Sequence, residues 1–152
     1  MPAEIRIRPL EAGDELAWRK LWAGYCRYYQ VAIDAGTTQH TWERLMAFAS
    51  PVKAIVADSA DDGVVGIANY ILHENTWEVN PVCYLEDLFV APDLRGSGVG
   101  HKLIDWLVAA MAREGWSRLY WMTRENNYRA RGLYDKYAPR DGFVRYVVKP
   151  SK

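Results

Sequence analysis

The chain has 152 residues, of which half are hydrophobic and a quarter are charged, so its length and composition suit one globular domain with one core. Its formal net charge is zero, which argues against a strongly electrostatic nucleic-acid binder, because such a protein carries a surplus of basic residues. No stretch approaches the roughly 18 apolar residues of a membrane span, and the N-terminus has no apolar signal core. We therefore expect a cytoplasmic protein that binds neither nucleic acid nor membrane.

The first part of the chain predicts one strand and two helices. Ile5 to Arg8 alternates apolar and charged residues before a proline, which is typical of a short strand. Apolar residues at helical spacing from Glu11 to about Tyr29 indicate an amphipathic helix. Residues 34–36 are interpreted as a loop, and a second short helix is predicted over 38–49, with Pro51 just past its end.

The rest of the chain predicts five strands and two helices. Two apolar runs, 53–57 and 64–72, are separated by Asp-Asp-Gly, which is a hairpin signal. The helix predicted over 99–113 has the clearest apolar stripe in the chain, and Gly115 follows it as a stop signal. The other predicted elements are a strand over 82–90, a strand over 119–122, a helix over 127–137 and a final strand over 143–148.

The predicted element order is β-α-α-β-β-β-α-β-α-β. Strands clustered in the middle, with one strand–helix–strand crossover, favour an α+β fold with a central mixed, mostly antiparallel sheet flanked by helices. The sequence contains no repeat, no low-complexity segment and no internal linker. We therefore expect residues 1–152 to form a single domain.

A glycine-rich loop lies between the strand that ends at Val90 and the long helix. Its sequence is Arg95-Gly96-Ser97-Gly98-Val99-Gly100. Glycine lets the backbone turn tightly and lets a ligand approach closely, and a helix start offers unpaired amides at the positive end of the helix dipole. These features suit a diphosphate, to which Arg95 would add a positive charge. The alternative is a strand–helix turn that holds no ligand.

Two familiar phosphate loops do not fit this stretch. A P-loop needs Gly-Lys followed by Ser or Thr at the helix start, whereas Gly100 is followed by His101-Lys102-Leu103. A Rossmann loop needs Gly-x-Gly-x-x-Gly in an alternating βαβ chain, whereas these glycines follow Gly-x-Gly-x-Gly in a different element order.

At these residues the sequence resembles the GCN5-related N-acetyltransferases (GNAT). The loop matches the family signature Gln/Arg-x-x-Gly-x-Gly/Ala, and Asn127-x-x-Ala130-x-x-x-Tyr134 matches its second motif on the expected helix. The segment Tyr84-Leu85-Glu86-Asp87-Leu88-Phe89-Val90 is similar to the subgroup of Hpa2-like, spermidine/spermine and thialysine acetyltransferases. Many members have Gly-Phe soon after the second motif, whereas here it comes later, at Gly142-Phe143, so the end of the chain departs from the pattern.

The resemblance implies acetyl-coenzyme A (acetyl-CoA) as the co-substrate and assigns roles to individual residues. Loop amides over Arg95, Gly96, Ser97, Gly98, Val99 and Gly100 would hold the pyrophosphate. Leu88 and Val90, with Phe89, would supply backbone hydrogen bonds to the pantetheine arm. Asn127 would face that arm or a water beside it, and Ala130 would be small where the cofactor passes. The resemblance also implies a homodimer, which the many aromatic residues could serve.

Tyr134 is the candidate catalytic acid. Acetyl transfer requires that the thiolate be protonated as it leaves, and a tyrosine with an ordinary pKa of about 10 keeps its proton at neutral pH. Tyr134 follows Ala130 by one helical turn and shares its face, where the resemblance places the sulfur. The alternative is a core tyrosine at an apolar helix position.

Glu86 is the candidate catalytic base. Together with Asp87 it interrupts an otherwise apolar strand, and adjacent carboxylates in a central strand are costly unless they are paired or used. Strand alternation predicts that the two face opposite sides of the sheet, with Glu86 beside Tyr84 and Leu88. The resemblance implies that Glu86 activates the amine, directly or through water. The alternative is a carboxylate paired with arginine or facing solvent, and Asp87 is interpreted as structural.

Metal and covalent chemistry are not predicted. His40, His73 and His101 have no metal-ligand spacing, so we expect no metal. Cys26 and Cys83 form no CxxC pair, are expected to be reduced, and have no histidine-supported arrangement for an acetyl-enzyme. The hypothesis is therefore direct acetyl transfer to a primary amine, most plausibly that of a small molecule: a polyamine, a lysine-like amino acid or a D-amino acid, with a protein lysine as the further candidate. The alternatives are a non-catalytic acyl-CoA-binding regulatory module and a nucleotide-binding domain.

Overall fold

The computed structural model describes residues 4–151. Residues 1–3 and residue 152 lie outside this range. The expectation that the N-terminus has no apolar signal core concerns residues 1–3 in part. The chain divides into two compact units, one that ends at Trp121 and one that begins at Met122. No helix in residues 4–151 is long and apolar enough to cross a lipid bilayer.

One mixed sheet of five strands lies in the first unit. Its order is β1-β2-β3-β4-β5, and all neighbours are antiparallel except the last pair, β4 and β5, which is parallel. The predicted α+β class with a mixed, mostly antiparallel sheet is thus confirmed. The strands are β1 (Ile5–Pro9), β2 (Val52–Ser59), β3 (Gly63–His73), β4 (Val82–Val90) and β5 (Arg118–Trp121).

Four α-helices complete the described fold: α1 (Glu15–Tyr28), α2 (Ala35–Met46), α3 (Val99–Glu114) and α4 (Tyr128–Tyr134). Helix α2 begins earlier than predicted because the Asp34 carboxylate accepts a hydrogen bond from the Thr37 N–H at 2.7 Å and caps the first turn. Helix α3 lies between Gly98 and Gly115, whose φ values of 90° and 77° end the right-handed helix on both sides.

Helices cover both faces of the sheet in the first unit. On one face α1 and α2 bury Trp18, Trp22 and Trp42 against Val56 of β2, Ile67 of β3 and Phe89 of β4. On the other face α3 packs closely, since a Cβ at Gly66 would lie 3.1 Å from Val99 Cγ1 and 3.4 Å from Leu103 Cδ1. Both tryptophans of α1, Trp18 and Trp22, therefore lie in the core.

The end of the chain differs from the prediction. Residues 143–148, predicted as a final strand, form no regular secondary structure, and Phe143, Tyr146 and Val148 are exposed. Strand propensity reflects packing on a neighbouring strand more than a backbone preference, and no strand ladder includes these residues. Helix α4 also ends earlier than predicted, at Tyr134, where the Tyr137 N–H bonds the Tyr134 carbonyl at 3.0 Å and tightens the chain into turns.

Candidate active site

Strands β4 and β5 part in the middle of β4. Their parallel pairing runs from Val82 with Arg118 to Leu85 with Trp121, where β5 ends, while β4 continues to Val90. On the β5 side, the stretch 86–90 therefore has no strand partner among the described residues. This opening leads along β4 to the glycine loop.

Glu86 occupies a β-bulge at the start of this opening. Asn69 of β3 pairs with Asp87 and Tyr70 pairs with Leu85, so Glu86 is the extra residue of β4. It is exposed, whereas Leu85 and Asp87 on either side are buried. The expected simple alternation across Glu86 and Asp87 is thus wrong, because the bulge interrupts the period of two.

The Glu86 carboxylate lies on the side of the sheet that α1 covers. Burial raises the pKa of the Tyr25 phenol on α1, where the Asp87 charge is the next cause, and burial also raises the pKa of the Tyr120 phenol on β5. The Glu86 charge makes the smallest contribution to both pKa values. Leu88 pairs with Ala68, between Ile67 and Asn69, and so belongs to the opposite face. Tyr84 and Leu88 were both expected to share a face of the sheet with Glu86, and only Tyr84 does.

Asp87 anchors a buried hydrogen-bond chain behind Glu86. The Asn69 amide donates to the Asp87 carboxylate at 3.1 Å, the Trp18 indole N–H donates to the Asn69 carbonyl oxygen at 3.1 Å, and the Tyr25 hydroxyl also bonds Asp87. Burial raises the pKa of Asp87, although both hydrogen bonds lower it. This chain ties α1 to the centre of the sheet, in agreement with the structural interpretation of Asp87.

Aromatic residues from β4 and β5 form a wall beside Glu86. The rings of Tyr84 and Tyr120 stack with centroids 4.9 Å apart, and the Tyr120 hydroxyl lies 3.0 Å from His73 Nε2. The other imidazole nitrogen lies 2.8 Å from the Glu74 carbonyl oxygen, to which it donates, so His73 holds the Tyr120 ring in place. Sequence reasoning missed this wall because the register that joins β5 to β4 cannot be read from either strand.

The glycine loop has the conformation that its composition requires. Gly96 and Gly98 have φ values of 84° and 90°, and no heavy atom lies within 4 Å of a Cβ built on either. The helical bond from the Lys102 N–H to the Gly98 carbonyl closes the first turn of α3, and the amides of Val99 and Gly100 precede it. Open space, glycine backbone and a helix start together fit a diphosphate.

Other polar groups of the loop are used within it. The Arg95 N–H donates to the Pro92 carbonyl at 3.4 Å, and the Ser97 N–H donates to the Leu94 carbonyl at 3.2 Å. The Ser97 hydroxyl also donates to the Leu94 carbonyl. Among the six residues predicted to hold the pyrophosphate, the glycines and Val99 therefore have the more suitable amides.

The open edge of β4 presents alternate peptide groups. The Ala91 N–H donates to the Val65 carbonyl of β3 at 2.8 Å, so the peptide groups of every second residue, including Phe89, face β3. Those of Leu88 and Val90 face the open edge. This direction suits the backbone role expected of Leu88 and Val90. The Phe89 peptide groups face β3 instead, and the Phe89 ring lies in the core.

The second unit carries the other sequence motif on α4. Asn127 caps this helix: its side-chain oxygen accepts from the Ala130 N–H at 3.4 Å, and its amide nitrogen donates to Thr123 Oγ1 at 3.2 Å. Half-buried Tyr134 is the last residue of α4, one turn after half-buried Ala130 on the same side of the helix. The motif thus combines a helix cap, a small residue and a phenol.

The cysteines and the candidate metal ligands are also part of the sequence predictions. Burial raises the pKa of Cys83 to about 12 and also raises the pKa of Cys26, so neither thiol ionises readily near neutral pH. No group of three His, Cys, Asp or Glu side chains within residues 4–151 is arranged to hold a metal ion.

Comparison with known proteins gives a consistent family match. Residues 17–138 match the profile of the acetyltransferase (GNAT) family. The D-amino-acid N-acetyltransferase HPA3 of Saccharomyces cerevisiae is 34% identical over 146 residues, which cover 93% of this chain and 89% of that protein. The thialysine N-epsilon-acetyltransferase of Bos taurus is 35% identical over 78 residues, which cover 51% of this chain and 45% of that protein.

Solved structures share the fold at lower sequence identity. An aminoglycoside acetyltransferase, meta-AAC0020, from an uncultured soil metagenomic sample aligns with a TM-score of 0.81 and 18% identity over 97% of both chains. AAC(6')-Iy in complex with the bisubstrate analogue CoA-S-monomethyl-acetylneamine aligns with a TM-score of 0.80 and 21% identity, over 98% of this chain and 100% of that one. At these identities the likeness concerns the fold.

Proposed function

Because the chain belongs to the GNAT acetyltransferase family, we propose that it transfers an acetyl group from acetyl-CoA directly to a primary amine. The observation that carries this proposal is the open edge of β4, which leads from the exposed Glu86 to the glycine loop. An extended arm with amide groups, such as pantetheine, can add to a free strand edge through main-chain hydrogen bonds. The loop then takes the pyrophosphate at the start of α3.

Glu86 acts as the base in this proposal. It is exposed at the bulge, where a water or an amine can reach its carboxylate. Taking a proton from the ammonium frees the lone pair that attacks the acetyl carbonyl carbon. The carbon–nitrogen bond forms as the carbon–sulfur bond breaks, and no acetyl-enzyme is formed.

Tyr134 acts as the acid in this proposal. A phenol that keeps its proton at neutral pH can donate it to the departing thiolate, which leaves as the free thiol of CoA. The family motif, with Ala130 one turn before Tyr134 on the same side of α4, supports this role.

The acceptor is a small-molecule amine in this proposal. The carboxylate of Glu86 and the phenols of Tyr25, Tyr84 and Tyr120 lie on one side of the sheet and suit a cation. The names of the two relatives, a D-amino-acid and a thialysine acetyltransferase, make amino-acid amines the first candidates. We also propose that the two units act as one cytoplasmic acetyltransferase domain, since the family match spans both, and that the protein forms a homodimer.

Calorimetry and a thiol-release assay test the donor and the acceptor separately. Acetyl-CoA should bind, whereas binding of NAD or ATP in its place would contradict the donor assignment. Free thiol should then be released with at least one member of a panel of D-amino acids, lysine, thialysine, spermidine and histone-tail peptides. Tight acetyl-CoA binding with no thiol release from any of them would favour the non-catalytic acyl-CoA-binding module instead.

A further inference from the structure

The guanidinium of Arg95 is held at three points. Its central carbon lies 4.6 Å from the centroid of the Tyr28 ring and 5.0 Å from that of the Phe89 ring. Its Nε donates to the Val90 carbonyl at 3.4 Å. Tyr28 is the last residue of α1, and Phe89 and Val90 end β4, so one side chain joins a helix end, a strand end and the glycine loop. We call Tyr28, Phe89 and Arg95 the clasp.

The two aromatic rings of the clasp, Phe89 and Tyr28, are themselves packed against neighbouring residues. Phe89 is 6% exposed, and its ring meets the Tyr25 ring edge-on, with centroids 6.4 Å apart. Helix α1 approaches this ring so closely that a Cβ at Gly24 would lie 2.8 Å from it. The Tyr28 ring packs edge-on against Tyr29 at 5.0 Å. The Phe89 ring is therefore fixed in the core, and the half-exposed Tyr28 ring is positioned by its contact with Tyr29.

The contacts use the flat shape of the guanidinium. Each ring centroid lies within the roughly 6 Å over which an aromatic face attracts a cation, and a planar guanidinium can stack on such faces while an N–H still donates. Lysine has the charge but not this shape.

We propose that Arg95 is a positioning residue, which fixes the glycine loop to the end of α1 through Tyr28 and Phe89 and so preorganises the loop amides for a pyrophosphate. The inference rests on the proposed binding of acetyl-CoA. It gives Tyr28, which lies outside the loop and the sequence motifs, a part in cofactor affinity. It also links the loop to the helix whose Tyr25 reaches Asp87 beside Glu86.

Calorimetric titration with acetyl-CoA tests the clasp through four variants. Arg95→Lys and Tyr28→Leu should each weaken affinity by about 2- to 30-fold, which is the range of one cation–aromatic contact. The double variant should lose no more affinity than the weaker-binding of the two single variants, because both substitutions break the same contact. Tyr28→Phe keeps the ring and should bind as the wild type does. Arg113→Lys is the matched control, since Arg113 lies 5.2 Å from the Trp106 centroid within α3, and should leave the affinity unchanged.

Salt dependence separates the clasp from a direct ion pair with the pyrophosphate. A direct ion pair with the pyrophosphate would survive in Arg95→Lys, which keeps the charge, and would be lost in a salt-dependent way in Arg95→Gln, whereas the clasp predicts that both variants lose affinity. The proposal is overturned if Tyr28→Leu binds acetyl-CoA as tightly as the wild type, or if Arg95→Lys binds normally while Arg95→Gln loses affinity in a salt-dependent way.

Hydrogen exchange of the free protein provides a readout without acetyl-CoA. Arg95→Lys and Tyr28→Leu should both speed exchange of the amides over residues 96–100, and Arg113→Lys should not. Unchanged exchange in both clasp variants would contradict the proposal. If the wild type does not bind acetyl-CoA, the proposed function fails, and this exchange experiment still decides whether Arg95 orders the loop.

Discussion

Glu86 and Asp87 are adjacent carboxylates in very different surroundings. The bulge in β4 exposes Glu86, whereas Asp87 is buried and accepts hydrogen bonds from Asn69 and Tyr25. A base must exchange protons with its substrate or with water, and only an accessible carboxylate does so freely. The bulge thus places the two residues differently: Asp87 holds α1 to the sheet, and Glu86 is exposed, as the proposed role of a base requires.

Replacing Glu86 with glutamine tests its role as the base. Glu86→Gln keeps the size of the side chain and removes its charge, so kcat/KM should fall by about 10²-fold or more. The loss should be largest at lower pH, where the amine substrate is protonated and depends most on a base. Glu78→Gln, at an exposed glutamate of the β3–β4 loop, is the control. A pH–rate profile of Glu86→Gln that matches the wild type would count against the assignment.

The acid is tested in the second unit, where α4 offers a matched pair of tyrosines. Tyr134→Phe removes only the hydroxyl, so kcat should fall by about 10²-fold while the affinity for acetyl-CoA stays near that of the wild type. Tyr128→Phe makes the same change at an exposed position of the helix and should leave kcat unaltered. Wild-type turnover by Tyr134→Phe would show that another group protonates the thiolate.

At the scale of elements, the close approach of α1 to β4 depends on Gly24. A Cβ at this position would lie 2.8 Å and 3.0 Å from two atoms of the buried Phe89 ring. Gly24→Ala should therefore cost about 1–3 kcal/mol of unfolding free energy, because the ring or the helix must move. Denaturant unfolding measures the change, and activity should fall with it since Phe89 supports both the core and the clasp.

The control for this substitution lies in α4. A Cβ at Gly132 would meet no heavy atom within 4 Å, and the residue has an ordinary helical φ, so Gly132→Ala should leave stability unchanged or raise it by about 0.5–1 kcal/mol. If Gly24→Ala proved as harmless as Gly132→Ala, the close packing of α1 on Phe89 would be contradicted.

Local sequence patterns correctly predicted those elements whose bounds depend only on their own residues. The bounds of β4 and the start of α3 agree with prediction because an apolar run ends at Pro92 and glycine at 98 sets a left-handed cap. The bulge at Glu86 and the Tyr84–Tyr120 wall depend on which residues face each other across strands, and this register is a tertiary property. The final strand was overpredicted for the same reason, since residues 143–148 have the composition of a strand but no partner strand in the described part of the chain.

At the scale of the whole molecule, the central claim is the transfer of an acetyl group from acetyl-CoA to an amine. The order of the elements, the open edge of β4 and the family match over residues 17–138 support it together. In the proposal each motif contributes one part: the loop would hold the pyrophosphate, Glu86 would act as the base and Tyr134 as the acid. The acceptor is the part on which the sequence is least informative, because the residues proposed to surround it, Tyr25, Tyr84 and Tyr120, come from three separate elements.

Mass spectrometry of the reaction products tests this claim most directly. The enzyme is incubated with acetyl-CoA and the best amine of the panel, and the masses of the amine, the CoA and the protein are measured at successive times. Direct transfer predicts that the amine gains one acetyl group for each free CoA formed, while the protein keeps its unmodified mass throughout. An unchanged amine, or an acetylated protein that forms before the product, would contradict it.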